Sequence, residues 1–162
     1  MDTSFIKSLD LEQGSNFIIL VGAPGAGKTT IADQLVDDFG FVKICPDDIR
    51  EEVSGDYMDQ SQNEKVFGIV YSRIEEFLEH GDNVVYDAIN CRSTYRHKIM
   101  EVCKKYATSI ICLCATTTIG ECLSRNSKLV RPIPENVIER MYFTLKKHPP
   151  TIFEGYDMIV RF

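Results

Sequence analysis

A chain of 162 residues that is 44% hydrophobic and 26% charged has the make-up of one globular domain, large enough to bury roughly two thirds of the surface its unfolded form exposes. Its longest apolar runs, residues 17–22 and 110–115, are far shorter than the ~20 residues a membrane-spanning helix requires, so no segment is expected to cross a bilayer. The net charge of −6 argues against a broad duplex-binding surface; it is also uneven, with 6 Lys/Arg against 18 Asp/Glu in residues 1–90 and 12 against 6 in residues 91–162, so the second half is the one suited to face phosphates.

Residues 1–16 are polar and close on Gly14-Ser15-Asn16, and they read as an N-terminal tail. Asp2, Asp10 and Glu12 stand where a secretory signal would be basic, which makes the cytoplasm the expected compartment. The six cysteines show no CxxC spacing and are expected to be reduced packing residues, with Cys112 and Cys114 on one face of a strand.

From residue 17 to 162 a single domain is expected. Short runs rich in Ile, Val, Phe and Cys at 17–21, 41–44, 84–86, 109–114 and 158–162 predict five parallel strands. Helix-period segments fall between them. Ile31, Leu35 and Phe39 mark a helix stopped by Gly40, and Phe67, Val70, Ile74 and Phe77 mark one ending at Gly81. A third helix carries Tyr95, Ile99, Val102 and Tyr106. The last carries Ile138, Met141 and Leu145, opening at Pro134 and stopping before Pro149-Pro150. Strand and helix alternating in this way define an α/β fold, a parallel sheet flanked by helices.

Directly after the first strand, Gly22-Ala23-Pro24-Gly25-Ala26-Gly27-Lys28-Thr29 matches G-x-x-x-x-G-K-[ST] and opens a helix. Small residues let backbone N–H groups converge on phosphate oxygens, and the helix N-terminus adds its positive dipole end. Lys28 is expected to reach the β- and γ-phosphates of ATP, Thr29 to hold Mg²⁺, and Thr30 to contact the α-phosphate. A plain strand-to-helix turn has no need of that lysine and threonine. The motif alone does not say whether the phosphate passes to water or to an acceptor.

Ligands in open parallel sheets lie beyond the carboxyl ends of the strands. Asp47 and Asp48 follow the second strand and Asp87 follows the third, where a carboxylate can orient an acceptor hydroxyl or order Mg²⁺. Asp47 can equally cap a short helix over 48–53, and Asp87 can serve a turn. Arg125, Lys128 and Arg131 form a basic segment after the fourth strand's helix. It has the character of a short lid that would offset charge on a transferring phosphoryl group and exclude water, unless it is only a solvated charge run.

The cradle, Pro46-Asp47-Asp48-Ile49-Arg50, Asp87-Ala88-Ile89-Asn90 with Arg96 following, and Arg125-Asn126-Ser127-Lys128 before Ile133-Pro134 stand in the order found in the polynucleotide 5′-hydroxyl kinase family. The chain resembles that family over roughly residues 17–145, within the wider group of small P-loop kinases. The resemblance implies an adenylate-kinase-like P-loop fold. It implies Asp47 as the general base and Arg50 as an acceptor contact, with Asp87 and Arg96 near the acceptor or of structural importance. Arg125 matches the first lid arginine. Leu129 stands where the second would fall, and Arg131 follows in a lid one residue shorter.

The expected activity is transfer of the γ-phosphate of ATP, with Mg²⁺, to the 5′-hydroxyl end of RNA or DNA. The catalytic set is Asp47, Lys28, Arg125 and Arg131. A kinase of a small molecule, nucleoside or modified base is the alternative, and a nucleotide-dependent switch a more distant one. No aromatic–basic interleaving is evident along the chain that would mark a long nucleic-acid track.

Overall fold

The computed structural model describes residues 4–9 and 11–162. Five strands, β1 (Asn16–Val21), β2 (Val42–Ile44), β3 (Val84–Tyr86), β4 (Ser109–Cys114) and β5 (Met158–Arg161), form one sheet in the order β2-β3-β1-β4-β5. Every neighbouring pair is parallel, and β1 lies at the centre with Ile19 level with Tyr86 on one side and Cys112 on the other. The expected strands are all present, each trimmed or extended by a residue at most.

The helices are α1 (Lys28–Phe39), α2 (Pro46–Ser54), α3 (Asn63–Glu79), α4 (Ser93–Cys103), α5 (Ile119–Asn126) and α6 (Glu135–Lys147). Both faces of the central strands are buried, as the unbroken apolar runs require. Phe17, Ile19 and Val21 face α3 and α4 through Val70, Ile74, Ile99 and Met100. Ile18 and Leu20 face Ile31, Ala32 and Leu35 of α1. Cys112 and Cys114 share the first of these cores, and all six cysteines are free.

The buried stripes of two helices are rotated from expectation. On α3 the fully buried positions are Val66, Val70, Ile74 and Leu78, with Phe67 and Phe77 at the margin. On α4 they are Arg96, Ile99, Met100 and Cys103, which leaves Tyr95 exposed and Tyr106 beyond the helix end. The described part of the N-terminal segment is also packed rather than loose. A 3₁₀ turn over Ser4–Ser8 buries Ile6 beside α1 and stacks Phe5 on Phe162 at 5.7 Å, covering apolar surface that α1 leaves open.

Candidate active site

The turn from β1 into α1 carries the glycine-rich segment. Gly25 (φ +78°) and Gly27 (φ +97°) are left-handed, and a Cβ on Gly25 would lie 2.6 Å from the Cys122 carbonyl oxygen of α5. Only glycine allows this approach. The first N–H groups of α1, from Lys28 to Thr30, have no partner within the helix and are placed for an anion.

Lys28 is buried, and its ammonium donates to the Ala23 carbonyl across the loop at 3.0 Å. Burial lowers its pKa, with Asp87 opposing that shift. Thr29 donates its hydroxyl to Asp87 at 2.8 Å, and the Asp87 backbone N–H is held by the Ile44 carbonyl at the end of β2. Burial pushes the Asp87 carboxyl up, against the pull of the Thr29 hydroxyl and the Lys28 charge. Two desolvated groups of opposite sign therefore sit at the strand ends, partly compensated. Among the described residues no cluster of three or more His, Cys, Asp or Glu could cage a metal. A hydroxyl beside one carboxylate does suit Mg²⁺, which keeps waters and substrate phosphates as its other ligands.

A cleft of about 900 Å³ opens from this cluster. Lys28, Thr29 and Asp87 line it together with Asp47 and Arg50 of α2. Asp47 does not cap α2: Cys45 is the N-cap and Pro46 the first helical residue, so the Asp47 side chain is free of that duty and stands exposed in the cleft, paired with Arg50. Arg50 is buried and also donates to the Tyr57 carbonyl at 3.0 Å and to Asn63 at 3.2 Å. Its Nε is buried without a partner.

The lid residues separate. Arg125, in the last turn of α5, donates to the Gly25 carbonyl at 3.1 Å, bracing the outside of the cradle. Lys128 is exposed. Arg131 reaches across to the loop after α2, where it makes two bonds to Asp56, at 3.0 and 3.3 Å, and lies over the Tyr57 ring. Leu129 lines the cleft in the place of a second lid arginine.

Arg96 is not brought to the cleft. It is 0% exposed, held by Glu154 through two bonds at 2.7 and 2.8 Å and by the carbonyls of Asn90, Cys91 and His148. An arginine so fully engaged braces the loop after β3 and has no donor to offer a substrate. Asn90, which sequence reasoning did not single out as a separate contributor, completes that brace: it adopts φ +50° and its amide donates to the Leu20 carbonyl of β1 at 2.8 Å. Further residues that line the cleft were also missed, among them Tyr57, Asn63, Phe67, Tyr71, Arg92 and Tyr95. They come from the loop after α2, from one face of α3 and from the start of α4, and no spacing joins those three segments to one another.

A family model described as "AAA domain" matches residues 17–148. Among solved structures, a chain of the Pnkp1/Rnl/Hen1 RNA repair complex superposes with a TM-score of 0.76 at 25% identity over 86% of this chain. The present chain spans only 47% of that one, about half its length. A putative kinase from Chloroflexus aurantiacus (TM-score 0.69, 17% identity, 94% of this chain and 86% of that one) shares the fold. So does a shikimate kinase from Acinetobacter baumannii in complex with shikimate (TM-score 0.57, 21% identity, 89% and 82%). The architecture is the adenylate-kinase-like P-loop fold that these kinases share.

Proposed function

The chain belongs to the AAA domain family, and on that premise we propose that it moves the γ-phosphate of ATP onto the 5′-hydroxyl end of RNA or DNA. One observation carries the reading: an exposed carboxylate, Asp47, and a buried arginine, Arg50, line the same cleft as Lys28, Thr29 and Asp87. A nucleotide-dependent switch needs the cradle but not an exposed carboxylate in the same cleft. The volume of about 900 Å³ lies at the upper end of small-ligand sites and suits a nucleoside-sized acceptor beside the phosphates.

In the proposed reaction the backbone of residues 22–29 and the Lys28 ammonium orient the phosphates. Thr29 and Asp87 would hold Mg²⁺, which when bound shields phosphate charge. Asp47 orients the acceptor hydroxyl and takes its proton as the new oxygen–phosphorus bond forms and the bond to the bridging oxygen of the leaving ADP breaks. Arg50 holds Asp47 in place. Arg125 keeps the cradle closed from outside, and Arg131 leaves Asp56 to meet the transferring phosphoryl group. This chemistry belongs in the cytoplasm, where ATP is abundant.

The test is transfer of labelled γ-phosphate from ATP to single-stranded RNA and DNA with 5′-hydroxyl ends and to free nucleosides, comparing the native chain with Asp47→Asn. Labelled oligonucleotide that falls by roughly 10²- to 10⁴-fold in the variant, with ATP affinity unchanged, is the expected result. Transfer to free nucleosides alone would assign the cleft to a small-molecule or nucleoside kinase. ATP binding with no transfer to any acceptor would leave the switch.

A further inference from the structure

The mouth of the cleft carries a feature that the phosphotransfer chemistry above does not use. Arg92 caps α4, and Tyr95 and Lys98 follow at intervals of three residues, so the three form one ridge, and all three line the cleft. The Arg92 guanidinium lies 5.7 Å from the centre of the Tyr95 ring. Tyr95 is 51% exposed, while the packing of α4 is carried by Arg96, Ile99, Met100 and Cys103. An exposed tyrosine at a cleft mouth therefore has no core role to explain it. Among the described residues neither Arg92 nor Lys98 belongs to an ion pair, whereas Arg50 and Arg131, the other arginines of the cleft, are both paired with carboxylates. Six residues of helix advance about 9 Å, the span of two to three nucleotides of a stacked strand.

We propose that Arg92, Tyr95 and Lys98 form a docking rim for single-stranded nucleic acid immediately behind its reacting 5′ end, Tyr95 stacking a base and the two cations meeting the flanking phosphates. Stacking on an aromatic ring tolerates any base, and paired cations read the backbone, so the rim selects strand over monomer without selecting sequence. It distinguishes an oligonucleotide acceptor, which carries a second base and flanking phosphates, from a sugar acid or a free nucleoside, which has neither. The inference rests on the 5′-hydroxyl reading.

The experiment measures acceptor KM and kcat with the full chain, ATP and three acceptors that share one 5′ residue: the nucleoside, the dinucleotide and the octanucleotide. Tyr95→Ala is expected to raise the octanucleotide KM by roughly 5- to 100-fold, with KM for ATP unchanged, and Tyr95→Phe to restore it. The Arg92→Ala/Lys98→Ala double variant should flatten the salt dependence of octanucleotide binding by about 0.7 in log–log slope per lost phosphate contact. All three side chains are exposed, so these variants leave the core intact. Octanucleotide transfer with KM and salt slope unchanged in the variants would overturn the rim while leaving the 5′-kinase reading standing. Failure of the native chain to use any oligonucleotide would instead overturn that reading, and the rim with it.

Discussion

Replacing Arg96 by alanine should unfold this domain more readily rather than weaken its grip on an acceptor. The substitution removes five hydrogen bonds of 2.7–3.2 Å. It leaves the buried Glu154 carboxylate without its partner and the carbonyls of Asn90, Cys91 and His148 unmet. Breaking a buried ion pair from one side costs about 3–5 kcal/mol. In a domain of this size each kcal/mol lowers Tm by about 2–4 °C, so a fall of about 6–20 °C is expected by thermal unfolding. Arg96→Lys should recover part of it, since one ammonium reaches Glu154 but cannot bridge to the carbonyls. The companion measurement is the acceptor KM at a temperature where the variant is folded, which should change little. A Tm within about 2 °C of the native value together with a large rise in acceptor KM would refute the reasoning and return Arg96 to the substrate.

Asp87→Asn separates function from stability. Burial holds the Asp87 pKa above its ordinary 3.8, so the folded state binds that proton more tightly than the unfolded one, and the group's contribution to stability falls as pH rises through that range. The difference in Tm between the Asn variant and the native chain should therefore shift in the variant's favour from pH 4 to pH 7, while Mg²⁺-dependent transfer is lost; a shift of opposite sign would contradict the assignment. Gly25→Ala places a Cβ against the Cys122 carbonyl at φ +78° and is expected to destabilise by about 1–3 kcal/mol and weaken nucleotide binding at least about tenfold, read by calorimetry. Arg131→Ala should lower kcat at least about tenfold, whereas Asp56→Ala, which only frees Arg131, should not; equal losses would mean that the bridge, not the arginine, is what matters.

The cradle was legible because its chemistry is local. Eight consecutive residues set both the backbone shape and the placing of Lys28 and Thr29 at the start of α1, and β1 and α1 on either side follow from period alone. The five strands and the alternation that makes them parallel were legible for the same reason. The place of Asp47 was half legible: the family pattern singled it out, but spacing could not tell an N-cap from the second residue of the helix, and Pro46 at the first helical position decides it.

What the tertiary structure alone decided are the partners of the charged side chains. Arg96 lies on an apparently ordinary helix face, and its burial depends on Glu154, 58 residues away in the chain. Arg131 meets Asp56 across 75 residues, and the cleft wall draws on residues from α2 to α6. Hydrophobic period and glycine placement act through neighbours and survive in one dimension. Whether a charge faces core or cleft is set by what desolvates and compensates it, and those groups are brought together only when the sheet and its helices close around them.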